Sequence, residues 1–206
     1  MTPAQTRDAE ATRAQILDAA TRAFADKGLR GSSVSEIAQS AGVTKSLIHH
    51  HFGSKQGLWD AIKERHFREY FDVQMGMLGA PGTAELLERS VEAYFRFLSK
   101  EQAFVRMMCW MQLEEPPGKS FPLAEMLTRE GVRKIRESQE AGELRSDVHP
   151  FSILVSFLGL AEHWFQGKEL HCQGLDDADE MTDDERYLSD LRKIFFEGIL
   201  PRESAT

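Results

Sequence analysis

The sequence lacks the features that mark a secreted or membrane protein. Its longest apolar candidate run, 151–161, is shorter than the roughly 18 residues of a membrane-spanning helix. Its first residues lack the apolar core of a secretory signal. Its two cysteines, Cys109 and Cys172, stand far apart without a CxxC or Cys/His metal spacing. We therefore expect a cytoplasmic protein with two reduced, structural cysteines and no membrane partner.

Catalytic and metal-binding motifs are also missing. No nucleophile–base motif or Gly-rich phosphate loop is present. The run His49–His51 cannot clasp one ion, because successive residues of a helix point about 100° apart. Acidic and histidine residues of the C-terminal half lack the HxxxH spacing of a helical site: Asp147, His149, Glu162, His163 and His171. We predict no catalytic residue, metal or cofactor, and keep a helical enzyme as a remote alternative.

The net charge of −8 is unevenly divided along the chain. Residues 1–66 contain nine Lys or Arg and seven Asp or Glu, whereas residues 67–206 contain sixteen and twenty-six. The N-terminal part is therefore slightly basic and the remainder is acidic. This asymmetry favours the N-terminal part as the face that meets phosphates.

The segment 33–55 has the pattern of two short helices joined by a tight turn. Ser33 and Glu36 form a capping box, and an apolar stripe follows at helical spacing. Gly42 occupies the position where a helix ends in a left-handed residue, and Thr44 can cap the next helix. This is the helix-turn-helix pattern, and the polar start of its second helix suits a DNA groove.

The rest of the chain predicts further helices and no strand. Apolar periodicity and capping residues place them at about 8–27, 55–77, 83–100, 101–113, 120–142, 151–166 and 182–200, the last opened by Thr182. The predicted fold is all-α. A three-helix DNA-binding domain, 1–54, precedes a larger helical effector and dimerisation domain, 55–206, whose first helix to about residue 77 is the connector.

An ordered set of residues within 8–64 resembles the N-terminal domain of the TetR family of bacterial transcriptional regulators. The residues that carry the resemblance are Ile16–Ala20, Phe24, Gly28, Val34–Ala38, Ala41–Thr44, His51, Phe52, Ser54, Lys55 and Leu58. The resemblance implies an all-helical effector domain. It also implies a homodimer in which the last two helices of each copy form a four-helix bundle.

The resemblance further implies a DNA-binding surface at the helix-turn-helix. Its residues are Ser33, Thr44, Lys45, Ser46, Leu47, His49, His50 and Lys55. The resemblance places Lys45, Ser46 and Leu47 at base edges, where Lys45 would meet guanine acceptors and Leu47 a thymine methyl. The other five residues would bond the phosphate backbone.

A cluster of large apolar residues, rich in methionine, is the predicted effector site. It comprises Phe104, Met107, Met108, Trp110, Met111, Met126, Phe157 and Trp164. Methionine repacks readily around apolar ligands, although the same residues also suit an ordinary core. A cavity of several hundred Å³ would favour a ligand, and a fully packed core would favour a regulator that answers to a protein partner or to nothing.

The function implied by the resemblance is ligand-responsive repression. A dimer would bind a palindromic operator, and a small, mostly apolar effector would release it. The effector would favour one position of the connector helix and so change the distance between the two recognition helices.

Overall fold

The computed structural model describes residues 3–78, 83–116, 121–173 and 182–200. These ranges contain nine α-helices and no strand, which confirms the all-α prediction. The helices are α1 (Pro3–Gly31), α2 (Val34–Ser40), α3 (Lys45–Phe52), α4 (Lys55–Leu78), α5 (Ala84–Lys100), α6 (Gln102–Glu114), α7 (Pro122–Glu140), α8 (Pro150–His171) and α9 (Asp184–Ile199). None of these helices is both long enough and apolar enough to cross a membrane.

Packing divides the chain into two compact units. The first unit contains residues 1–68 and 103–119, and the second contains 69–102 and 120–206. Helix α4 thus contributes to both units, while nearly all of α6 packs with the N-terminal helices. The functional boundary between residues 54 and 55 stays a prediction.

The core of the first unit is built from the apolar stripes that the sequence predicts. The apolar residues of α1, α2, α3 and α4 that are at most 1% exposed are Ile16, Leu17, Ala20, Phe24, Ile37, Ile48, Leu58, Trp59 and Ile62. The rings of Phe24 and Trp59 meet edge to face, with centroids 5.1 Å apart. This geometry is favoured between aromatic rings and holds α1 against α4.

The second unit packs α5, α7, α8 and α9 around a separate core. Its buried residues include Leu86, Val91, Phe95, Ile135, Ile153, Phe157, Ala161, Leu188 and Leu191. Helix α9 begins at Asp184, and the carboxylate of Asp183 caps it by accepting the backbone N–H of Arg186 at 2.6 Å. The predicted cap, Thr182, is therefore wrong by one residue, because Asp183 offers an acceptor in the cap position itself.

Gly28 interrupts α1 where the sequence predicts that the helix ends. Its backbone has φ +69° and ψ −179°, a region open in practice only to glycine, and helical turns resume as far as Gly31. A Cβ atom at Gly28 would lie 2.8 Å from the Trp110 ring and from the Glu114 carboxylate. Glycine is thus required here both by the backbone angles and by the close approach of α6.

Replacement of Gly28 by alanine should lower the free energy of unfolding more than replacement of Gly42. Gly42 also has a positive φ, +65°, but its added Cβ would meet open space. We expect about 1–2 kcal/mol of backbone strain in Gly42→Ala and roughly 1–3 kcal/mol more in Gly28→Ala from the collision. Urea unfolding of both variants measures the difference, and equal losses would contradict the described packing of α6 on Gly28.

Candidate functional site

The helix-turn-helix has the local geometry that the sequence predicts. The hydroxyl oxygen of Ser33 accepts the backbone N–H of Glu36 at 3.2 Å, and that of Thr44 accepts the N–H of Leu47 at 3.3 Å. Between the two helices, Gly42 adopts its positive φ, and the N–H of Val43 donates to the carbonyl of Ala38 at 3.0 Å. Both caps and the turn are therefore present.

The start of α3 presents polar side chains to solvent. Thr44, Lys45 and Ser46 are exposed, Leu47 is half-buried, and the next residue, Ile48, points into the core at 1% exposure. Burial of Ile48 fixes which face of α3 remains outside. The exposed face is consequently the one that begins with a cap hydroxyl and an ammonium group.

Some of the remaining predicted DNA-contact residues already form hydrogen bonds within the protein. His49 and His50 are exposed, and His49 Nδ1 lies 3.0 Å from the carbonyl oxygen of Gly53. Lys55 is half-buried, and its ammonium donates to the carbonyl of Ser32 at 2.8 Å. Lys55 therefore ties the start of α4 to the loop before α2. The roles of all eight residues in DNA binding stay a prediction.

A charge pair borders the same motif. The Lys27 ammonium lies 3.1 Å from the Glu36 carboxylate, and both side chains are about half exposed, at 53% each. The hydrogen bond and the positive charge from Lys27 lower the pKa of Glu36, which keeps this carboxylate ionised. Because the pair is exposed, it contributes little to stability.

Three side chains near the end of α6, which we call the α6 anchor, bond to α1 and α4. They are Trp110, Glu114 and Glu115. The Trp110 indole N–H donates to the carbonyl of Ala25 at 3.2 Å. The Glu114 carboxylate accepts the backbone N–H of Leu29 at 2.7 Å. These two contacts hold α6 on both sides of the interruption at Gly28.

Glu115 supplies the contacts of the α6 anchor to α4. One of its carboxylate oxygens accepts the Trp59 indole N–H at 2.7 Å and the Lys63 ammonium at 2.6 Å. The Lys63 side chain is only 5% exposed and that of Glu115 is 13% exposed, so the ion pair is shielded from water. The sequence analysis did not predict these contacts of Glu114 and Glu115. The local signal was a pair of acidic residues at the end of a helix, just before Pro116, where side chains can fold back onto neighbouring helices.

The residues predicted for effector binding are divided between the two units. Phe104 and Met107 are fully buried in the first unit, where the Phe104 ring stacks on His66 with centroids 4.6 Å apart. Met108, Trp110 and Met111 share that helix and are partly exposed. In the second unit Met126 is 49% exposed, and the Trp164 ring stacks on that of Tyr187 at 3.9 Å.

A cavity in the second unit includes Phe157 but none of the other seven predicted residues. Its wall consists of Tyr70, Leu78, Leu87, Ser90, Val91, Gly131, Ile135, Ile153, Leu154, Phe157, Leu158, Phe195 and Ile199. The space between the wall atoms is about 480 Å³, which includes a part open to solvent, and the free volume inside is about 50 Å³. The cavity is thus mostly apolar and small. The wall residues come from five helices. The apolar periodicity of each helix predicts which of its faces is buried, but not that these five faces enclose one cavity.

Two histidines of the second unit, His163 and His171, lie close together. In the part of the chain that the structure describes, no group of three or more His, Cys, Asp or Glu side chains is arranged to hold an ion. The Nε2 atoms of His163 and His171 lie 2.9 Å apart above Gly167. This distance fits a hydrogen bond between two imidazoles, one donating and one accepting.

The fold and the exposed start of α3 define a helix-turn-helix protein, and comparisons with known proteins identify its family. Residues 16–62 match the family described as bacterial regulatory proteins, tetR family. Residues 87–190 match the tetracyclin repressor-like C-terminal domain. The chain belongs to the TetR family of bacterial transcriptional regulators. This confirms the resemblance and agrees with a regulator rather than an enzyme.

Individual relatives share parts of the chain. The HTH-type transcriptional activator FasR of Mycolicibacterium smegmatis is 32% identical over 97 residues, which is 47% of this chain and 44% of FasR. The chain thus spans less than half the length of FasR. The HTH-type transcriptional repressor SCO4008 of Streptomyces coelicolor is 25% identical over 160 residues, covering 77% of this chain and 80% of that one. A solved SmeT–triclosan complex is similar in fold, with TM-score 0.67, 21% identity and coverage of 93% and 92%.

Replacement of Glu115 by alanine should destabilise the first unit. The change removes the acceptor of the Trp59 indole and one carboxylate beside the buried Lys63, so we expect a loss of about 2–4 kcal/mol. Glu64→Ala is the matched control, because Glu64 pairs with Arg68 on the surface, where both are more than half exposed. The control should lose no more than about 1 kcal/mol. Urea unfolding measures the free energy of unfolding of both variants. Equal, small losses of stability in Glu115→Ala and Glu64→Ala would contradict the described role of Glu115.

Proposed function

We propose that this protein is a ligand-responsive repressor that binds a palindromic operator as a homodimer. The observation that carries the proposal is the capped helix-turn-helix with the exposed polar start of α3, in a chain of the TetR family. Among the relatives SCO4008 is named a repressor and FasR an activator. Repression needs only that the bound dimer occupy the promoter, so it requires no further contact surface.

In the proposed complex the N-terminal end of α3 enters the major groove. Lys45, Ser46 and Leu47 then face base edges, and His50 faces the phosphate backbone. The hydroxyl oxygens of Ser33 and Thr44 accept bonds from their own helices, which leaves each O–H free to donate to a phosphate. The backbone N–H groups at the start of α3 add a favourable dipole.

Replacement of Lys45 by alanine should weaken binding to the promoter region of the protein's own gene. Loss of one contact to phosphate or guanine costs about 1–3 kcal/mol, or roughly 5- to 150-fold in affinity. His50→Ala should show a smaller loss. Fluorescence anisotropy at several salt concentrations measures both effects.

The control for these variants is Lys100→Ala, which removes the same charge from the exposed end of α5. Its affinity should match that of the wild type, and all three variants should unfold at the wild-type urea concentration. If Lys45→Ala and Lys100→Ala bind DNA equally well, the proposed orientation of α3 is wrong.

The proposed dimer interface is an exposed apolar face on α8 and α9. Phe151, Val155 and Leu160 of α8 are 40–48% exposed, and Ile194 of α9 is 71% exposed. A shallow groove between these helices is lined in part by Ser152, Ser156 and Gly198, whose small side chains permit close approach. Exposed apolar patches of this kind mark interfaces. The four-helix bundle that the TetR resemblance implies would use the same two helices.

Replacement of Ile194 by aspartate should convert the dimer into a monomer. A carboxylate placed at the centre of an apolar two-fold interface is buried twice, once from each copy. Sedimentation at micromolar concentration measures the change. The matched control is Leu113→Asp, since Leu113 is 77% exposed on α6, away from this face in sequence.

A wild-type protein that sediments as a monomer would contradict the interface, as would an Ile194→Asp variant that remains dimeric. In the first case the apolar face would instead serve a different protein, which is the alternative in which the regulator answers to a protein partner.

The cavity of the second unit is the proposed effector site. Its wall agrees with a small, mostly apolar effector, and its small free volume means that a ligand of more than a few atoms must widen it. An effector can lower DNA affinity only through its different affinities for the DNA-binding and released conformations.

A further inference from the structure

One end of the effector cavity carries hydroxyl groups that are held in place by a buried amide. The Gln74 side chain is 1% exposed. Its amide nitrogen donates to the carbonyl oxygen of Ser90 at 2.9 Å, and the Ser90 hydroxyl donates to its amide oxygen at 2.6 Å. These two bonds join α4 to α5 and orient Ser90, whose hydroxyl oxygen retains its capacity to accept.

Tyr70 also lines this cavity, and its hydroxyl group is hydrogen-bonded to the same Gln74 side chain. Its ring is fixed between Tyr94 and Phe97, with centroid distances of 5.1 and 5.0 Å. Burial raises the pKa of the Tyr70 phenol, so the group stays protonated near neutral pH and remains a hydrogen-bond donor. Tyr70 and Ser90 are the two polar residues among the thirteen described wall residues.

The same wall offers no counter-charge to a ligand. None of its thirteen described residues is Lys, Arg, His, Asp or Glu. Glu162 accepts the hydroxyl of Tyr94 at 2.5 Å and is not part of the wall, although its negative charge helps to raise the pKa of Tyr70. An ionised group that entered the cavity would lose its hydration without contacting an opposite charge in the described wall.

The dimensions of the cavity restrict the shape of a ligand. The free space inside the cavity is small, about 50 Å³, because the 480 Å³ between its wall atoms includes a part open to solvent. Leu154 of α8 lies 3.3 Å from the position of a Cβ on Gly131 of α7, so the two helices already pack closely at this wall. A slender chain needs less displacement of these helices than a broad ring system.

We propose that the cavity selects a neutral, slender molecule with an apolar body and one hydrogen-bonding oxygen, which bonds to Tyr70 and Ser90. The inference rests on the proposed function, since it specifies the effector of the same regulator. It excludes carboxylates and amines of the same length, which are ionised near neutral pH.

The test compares three probes that share a ten-carbon chain: 1-decanol, decanoate and decylammonium. Isothermal titration of the full-length protein at neutral pH should show binding of 1-decanol and at least tenfold weaker binding of the two ions. Tyr70→Phe should weaken 1-decanol binding about five- to tenfold. Tyr187→Phe is the matched control and should bind like the wild type, since the Tyr187 hydroxyl donates to the carbonyl of Leu160 and its ring does not line the cavity.

Several outcomes would overturn the inference. They are equal binding of decanoate or decylammonium, no binding of 1-decanol, and equal affinity of the Tyr70→Phe and Tyr187→Phe variants. Operator binding is measured in the same preparation without any probe. If the operator is bound while the selectivity fails, only the inference is lost; if the operator is not bound, the proposed function itself fails.

Discussion

The α6 anchor is the interaction on which the arrangement of the first unit depends. Trp110, Glu114 and Glu115 bond to the end of α1 and to Trp59 and Lys63 of α4. These contacts are possible because Gly28 has no side chain and adopts angles that other residues avoid. A segment from the middle of the chain thereby fixes the helices behind the helix-turn-helix. The position of α3 therefore depends on residues about 60 positions further along the sequence.

The chain connections between the two units give the proposed regulation a route. Helix α6 follows α5 after a single residue, and α4 runs from the first unit into the second. Both α4 and α5 also contribute to the cavity of the second unit, through Tyr70 and Ser90. In the proposed mechanism a ligand that widens this cavity would act on α4, which continues into the first unit, and on α5, which leads along the chain into α6. In the same proposal the acidic balance of residues 67–206 favours the N-terminal part as the face that meets DNA.

The helix-turn-helix was predictable from neighbouring residues, whereas the proposed effector cavity forms only where distant helices pack together. Ser33 and Thr44 cap the helices that follow them, and Gly42 adopts the positive φ of the turn between those helices. The structure has both caps and the turn. The Met-rich segment of α6 suggests a pocket by composition, yet Phe104 and Met107 are buried in the first unit. Sequence periodicity shows that a helix face is buried but not which helix covers it. Tyr70, Ser90 and Glu115 acquire their roles only from distant partners, so the pattern around them did not predict those roles.

In the proposed complex two copies of α3 read one palindromic site. Hydroxyl-radical footprinting of the promoter region of the protein's own gene tests it most directly. We expect two protected half-sites related by dyad symmetry, with centres about one helical turn (~34 Å) or a multiple of it apart. A single protected half-site, or protection without dyad symmetry, would contradict the proposed complex.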